Sequence, residues 1–165
     1  MQEQIDTFRI ETENVLKAAE NQRKLEYVSR MDTLLAELEV NLSICTNELI
    51  ANYEKHKDSE SLPVPESRFS YSMMEKTLSS GEVFENKARL NLWASFRYMQ
   101  TVNSLLSQAL TIMHTEHIAD PRDLMLISGR RSKTKSLIIN SAKYLHELQK
   151  TLVESIKLIQ KMKNT

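Results

Sequence analysis

Glycine, proline and cysteine are all scarce in this chain of 165 residues, which contains two, three and one of them. Phosphate-binding loops and strained catalytic turns need glycine for backbone conformations that other residues avoid. Gly81 and Gly129 stand alone, which argues against a glycine-rich nucleotide-binding loop. The single cysteine, Cys45, excludes an intramolecular disulfide and favours a reducing compartment.

Long apolar runs are missing as well. No run approaches the roughly 20 residues that a bilayer-spanning helix requires. Charged residues interrupt the first 19 positions, so these positions do not form the apolar core of a signal peptide. We therefore expect no membrane span and a cytoplasmic location.

Motifs for metal and nucleophile chemistry are absent too: neither HExxH nor Glu-x-x-His occurs. His114 and His117 share one side of a helix and could hold a metal with Glu116 or Asp120. Two histidines near a helix carboxyl end are equally explained by the helix dipole. Cys45 occupies an apolar position in mid-helix, where a free cysteine acts as a small hydrophobe. We expect no enzyme activity, no cofactor and no metal site.

What the sequence does contain is a heptad pattern near its end. Apolar residues at the first core position recur every seven residues, and a second core position follows three residues after each of them. The two positions read Ile138, Leu145, Leu152, Ile159 and Ser141, Leu148, Ser155, Met162. Apolar residues flank this seam on both sides, which is typical of a helix with two or more neighbours in a bundle.

Two further helices carry similar seams. The helix predicted over about 80–118 has Leu92, Met99, Leu106 and Met113 at its core positions. The helix predicted over about 3–56 has a strict seam only in its second half, from Val28 to Tyr53. The sequence therefore predicts an all-α, elongated, up-down-up bundle of three long helices with short connecting helices and coiled-coil-like seams.

The expected layout is one domain, 1–165. Its parts are a long first helix (1–56) whose first half overhangs, a linker (57–66), a short helix with the second long helix (67–118), and a connector with the basic final helix (119–165). Leu62-Pro63-Val64-Pro65 predicts an exposed linker because residues before proline avoid the helical region. Ser72 with Glu75 is a capping-box pattern that opens the short helix. Asp120 before Pro121 predicts a helix start, and Ser128-Gly129 predicts a break before the final helix.

Charge is uneven although the formal net charge is zero. Residues 1–56 hold 6 basic and 11 acidic side chains, and residues 122–165 hold 10 basic and 3 acidic ones. The four cations Arg130, Arg131, Lys133 and Lys135 are an anion-binding candidate, because arginine forks and helix amides together bind phosphate. Pairing with carboxylates of the first helix is the other interpretation.

The first half of the first helix is the candidate partner-binding surface. Its narrow stripe is Ile5, Phe8, Val15, Leu16 and Ala19, and the segment Glu20–Lys24 puts this stripe out of phase with the later seam. A helix that is polar nearly all round is marginal alone, so we expect a partner or a second copy to cover the stripe. The favoured function is a non-enzymatic helical interaction module: an assembly subunit, adaptor, chaperone or inhibitor. The alternative is a nucleic-acid- or phosphate-binding accessory protein that uses the cluster at 130–135.

Overall fold

The computed structural model describes residues 2–59, 62–80, 84–116 and 124–164, with side chains for all of these except 2–6, 116 and 124. Its elements in chain order are α1 (Gln2–Ser43), a π-helix (Ile44–Ile50), α2 (Ala51–His56), α3 (Ser72–Ser79), α4 (Asn86–Glu116) and α5 (Leu124–Lys163). These ranges contain no strand. The predicted all-α bundle with three long helices is confirmed. Gly81, His117, Asp120 and Pro121 lie outside the described residues.

The α5 helix is the centre of the bundle. Seven of its eight predicted core positions are buried and Met162 is half-buried, while Lys143, Lys150 and Lys157 on the opposite side are exposed. The helix contacts α4 along one flank and α1 with the π-helix along the other. Its wide apolar face therefore serves two neighbours, as the flanked seam predicts.

Residues 2–56 form one continuous rod, because α1, the π-helix and α2 follow each other without a break. At 1.5 Å per residue the rod is about 80 Å long. Four inward-facing positions of the rod are spaced four residues apart: Asn41, Cys45, Leu49 and Tyr53. In an α-helix four residues turn about 40° more than a full turn, so these side chains would gradually rotate away from the core. The wider π-turn reduces this drift, so Cys45 and Leu49 both remain buried against α5.

Residues 62–71, the return segment, carry the chain back along the rod in an irregular, extended conformation. The Asn52 side chain donates to the Pro63 carbonyl (3.3 Å), and Asn41 bonds the backbone of Ser70 twenty-nine positions later. The segment thus runs antiparallel to the rod. Its apolar side chains Leu62, Val64 and Phe69 are buried between the helices.

Two asparagines on different helices hold the end of this segment. Asn41 accepts from the Ser70 amide (3.1 Å) and donates to the Ser70 carbonyl. Asn103 of α4 accepts from the Phe69 amide and donates to the Phe69 carbonyl, both at 3.0 Å. A buried backbone without regular structure must find such partners, because an unpaired amide or carbonyl costs as much as a lost hydrogen bond.

The cap of α3 comes from another helix rather than from the predicted capping box. The side chain of the N-cap residue, Tyr71, makes no cap hydrogen bond. Instead the carboxylate of Glu37 accepts from the amides of Met73 (3.2 Å) and Met74 (2.8 Å). An anion at this end of α3 also matches the positive end of the helix dipole.

The directions of the long helices differ from the predicted up-down-up order. Lys87 pairs with Glu154 and Arg130 donates to the Thr115 carbonyl, so α4 is antiparallel to α5. The Cys45–Leu145 and Asp32–Lys163 contacts make the rod antiparallel to α5 as well. The rod and α4 are therefore parallel. The long helices run up, up and down. The return segment and α3 carry the chain back between the rod and α4, where the prediction had no separate element.

Two local expectations are wrong. The prolines do not make 57–66 uniformly exposed, because Leu62 and Val64 insert into a small core with Ala109 and Ile138. No break occurs at Ser128-Gly129, since α5 begins at Leu124 and continues through Gly129. One glycine inside a helix costs only about 1 kcal/mol, which the long packed helix tolerates.

The asparagine clamp yields a prediction. Asn41→Ala leaves the Ser70 amide and carbonyl without their partners, so unfolding should become easier by about 1–3 kcal/mol. Trypsin should then cut after Arg68, which in the wild type is half-buried with its guanidinium bonded to the Pro65 and Ser67 carbonyls. Asn47→Ala is the matched control, because exposed Asn47 bonds only the Ser43 hydroxyl. Equal digestion of Asn41→Ala and the control at Arg68 would contradict the clamp.

Candidate functional site

The first part of α1, residues 2–26, projects beyond the bundle; we call it the overhang. Every side chain described in it, from residue 7 to residue 26, is exposed. The apolar ones are exposed by 59–72%: Phe8, Ile10, Val15, Leu16 and Leu25. Ala19 is exposed too, whereas the side chain of Ile5 is outside the described residues. The described residues of the predicted stripe are therefore exposed to solvent.

The overhang lacks neighbours because the other helices end before they reach it. The last turn of α5 lies level with Asp32, which pairs with Lys163. The first half-buried residue of the rod is Tyr27 and the first buried one is Met31. About 25 residues, or roughly 37 Å of helix, therefore project from this end of the bundle.

The ion pairs described within the overhang are local ones. Arg9 bonds Glu13 at 3.3 Å and Lys24 bonds Glu20 at 3.1 Å, both at i,i+4 spacing and both exposed. Such pairs contribute about 0.2–0.5 kcal/mol each. An isolated helix is marginal in water, since most helical stability in proteins comes from packing. The overhang would be stabilised by a partner along its apolar stripe.

The basic cluster lies at the opposite end of the bundle, where α2 and α4 both end. Arg130 donates to the Thr115 carbonyl (2.6 Å) in the last turn of α4, and Lys135 donates to the Ser59 carbonyl (3.0 Å) just beyond α2. Cations at the carboxyl ends of helices satisfy their terminal carbonyls and match the negative dipole end. The position of these charges thus follows from two parallel helices that end side by side.

This arrangement bears on both interpretations of the cluster. Arg130 and Lys135 bond backbone carbonyls, not carboxylates of the first helix. The cluster also starts six residues inside α5, so the amides of the first turn of α5 are not adjacent to it. Lys133 and Arg131 are exposed. Anion binding by Arg130, Arg131, Lys133 and Lys135 stays a prediction.

A second exposed apolar patch lies on α4 and has no counterpart in the sequence interpretation. Trp93 is 52% exposed, and the Arg97 guanidinium lies 5.0 Å from the centre of its ring. Leu90, one turn earlier, is 69% exposed. The available signal was that Leu90 and Trp93 fall outside the Leu92–Met99–Leu106 seam, which places them on the outer side of α4.

The described side chains offer little for catalysis. They contain no group of three or more metal-ligating residues, and His114 is exposed. Cys45 is buried, its thiol donates to the Leu145 carbonyl (3.4 Å), and burial raises the pKa of this thiol to about 12. A nucleophilic cysteine needs the opposite shift. A partly open cavity beside Leu49 and Leu106 measures about 10 Å³, room for about one water molecule.

No protein-family model, no curated protein and no solved structure matches this chain. None of the described helices is long and apolar enough to cross a membrane.

The thiol pKa predicts how stability changes at alkaline pH. The unfolded thiol ionises near pH 9, whereas the folded one stays protonated to about pH 12. Its contribution is therefore complete below pH 9 and declines from pH 9 towards pH 12, by at most about 1.4 kcal/mol per pH unit. The free energy of unfolding measured in urea should fall more steeply over this pH range for the wild type than for Cys45→Val, whose side chain cannot titrate. The same pH dependence of the free energy of unfolding in both proteins would contradict the burial of the thiol.

Proposed function

We propose that this protein is a non-enzymatic helical interaction module that binds a partner helix through its overhang. The observation that carries the proposal is the unbroken run of exposed side chains from residue 7 to residue 26, which includes five large apolar residues. The binding stripe consists of Phe8, Val15, Leu16 and Ala19, with Ile5 at its beginning. The protein acts as an assembly subunit, adaptor, chaperone or inhibitor.

Physical reasons favour a helical partner. A narrow apolar stripe on a straight helix matches the seam of another helix, which buries both stripes at once. A bundle with its own core holds the overhang at one end and leaves all sides of it accessible. The absence of an activated nucleophile among the described side chains supports binding rather than catalysis. We also propose a cytoplasmic location, because the unpaired Cys45 suits a reducing compartment.

The nucleic-acid or phosphate alternative relies on the basic cluster. Two of its four cations already bond helix-terminal carbonyls, so an anion would compete with contacts that the fold uses. No observation on the described residues favours this alternative over the overhang. Salt distinguishes the two, since phosphate contacts weaken steeply with ionic strength and apolar helix contacts do not.

Partner capture by the full-length chain tests the proposal. The double variant Phe8→Ser, Leu16→Ser removes two large apolar groups from the stripe without touching the core. Truncation of an apolar side chain that anchors an interface costs about 2 kcal/mol or more, so capture of the partner should weaken at least about tenfold. Captured proteins and nucleic acids are both identified after washes at low and high salt.

Val40→Ser is the matched control, because Val40 is an equally exposed apolar residue on the part of α1 that belongs to the bundle. Capture should persist in this control and in high salt. A partner retained equally by the double variant and the wild type would refute the overhang as binding site. Recovery of nucleic acid that leaves in high salt would favour the alternative.

A further inference from the structure

We propose that the overhang pairs with the overhang of a second copy of this chain, in antiparallel orientation. This inference rests on the proposed function, since it names the partner helix. The two bundles would then lie at opposite ends of a helix pair formed by residues 2–26 of both copies.

Charge along the overhang favours this orientation. Its first half, residues 2–13, carries four carboxylates and one cation, a net charge of −3. Its second half, residues 14–26, carries three cations and two carboxylates, a net charge of +1. Antiparallel pairing places the acidic half of each copy on the basic half of the other. Parallel pairing would place like charges side by side at the roughly 8–10 Å spacing of packed helices, which is about one Debye length at physiological salt.

Side-chain size agrees with one particular alignment. If Phe8 lies opposite Ala19 of the second copy, a large side chain meets a small one, and the same pair recurs by symmetry. Thr12 then lies opposite Val15 at the centre of the pair. Large residues opposite small ones are what close helix packing requires.

The length of the overhang fits the same alignment. With Phe8 opposite Ala19, Gln2 of one copy lies level with Leu25 of the other. The bundle begins just beyond this point, at half-buried Tyr27. Residues 2–25 of the two copies, between three and four heptads, thus lie side by side outside the two bundles. The apolar stripe from Ile5 to Ala19 covers about two of these heptads.

Light scattering on the full chain over micromolar to submillimolar concentrations tests the pairing. The wild type should approach the mass of a dimer, and the Lys17→Glu, Lys24→Glu variant should dissociate at least about tenfold more readily at low salt because its overhang is acidic throughout. The reciprocal variant Glu11→Lys, Glu13→Lys should also dissociate more readily. An equimolar mixture of the two should associate again, which excludes loss of helix as the cause.

Spin-label distances then report the orientation. Cys45 is buried, so single cysteines introduced at Asn14 and at Lys24 can be labelled selectively. Antiparallel pairing predicts a short distance between the two labels at position 14. At position 24 the labels should be about 30 Å apart, from 21 residues of axial separation at 1.5 Å each. Short distances at both positions would overturn the orientation.

A monomer at every concentration, or variants and a mixture that behave like the wild type, would overturn self-pairing. The proposed function has its own test. Even if the chain does not pair with itself, capture of a different protein that depends on Phe8 and Leu16 would support the overhang as a binding site. Failure of the inference and failure of the proposed function are therefore distinguishable.

Discussion

The length difference between the rod and α5 decides what this protein exposes. The rod runs from residue 2 to residue 56, whereas α5 has 40 residues and pairs its last turn with Asp32. A helix can bury an apolar stripe only where a neighbour lies beside it. The rod is packed from Tyr27 onwards, and its described side chains before that point, those of residues 7–26, are exposed. The overhang, its marginal stability alone and its proposed role all follow from this mismatch.

Within the bundle the main constraint is the separation of the two parallel helices. The rod and α4 each pack on α5, and the space between them is filled by the return segment and α3. An irregular segment in this position needs partners for its backbone, which Asn41, Asn103 and Asn52 supply, while Glu37 caps α3. Amide side chains suit this task because each carries both a donor and an acceptor. The result is a four-element bundle with only three long helices.

The sequence predicted the helices and their seams well, because heptad periodicity is a local signal. The α5 core residues from Ile138 to Ile159 and the α4 core residues Leu92, Met99 and Leu106 are buried as predicted, whereas Met113 is half-buried. The phase break at Glu20–Lys24 also lies close to the point where packing begins. For the candidate site, the exposed stripe could be located from spacing alone, although its partner could not.

Features that depend on distant residues were not predictable in this way. The capping-box pattern at Ser72 gave the correct start of α3 but the wrong cap, because Glu37 reaches it from another helix. The direction of α4 depended on a segment with no periodicity. The role of Arg130 and Lys135 depended on where two other helices end. Gly129 suggested a break that helix packing overrides.

Hydrogen exchange along the rod, measured at several protein concentrations, tests the central claim most directly. Amides of residues 31–49 should be protected at every concentration, because they belong to the packed bundle. Amides of residues 7–26 should exchange rapidly in dilute protein, because an unpartnered helix opens easily. They should gain protection when a partner or a second copy is supplied. Strong protection of residues 7–26 at the lowest concentration without a partner, equal to that of residues 31–49, would contradict the account.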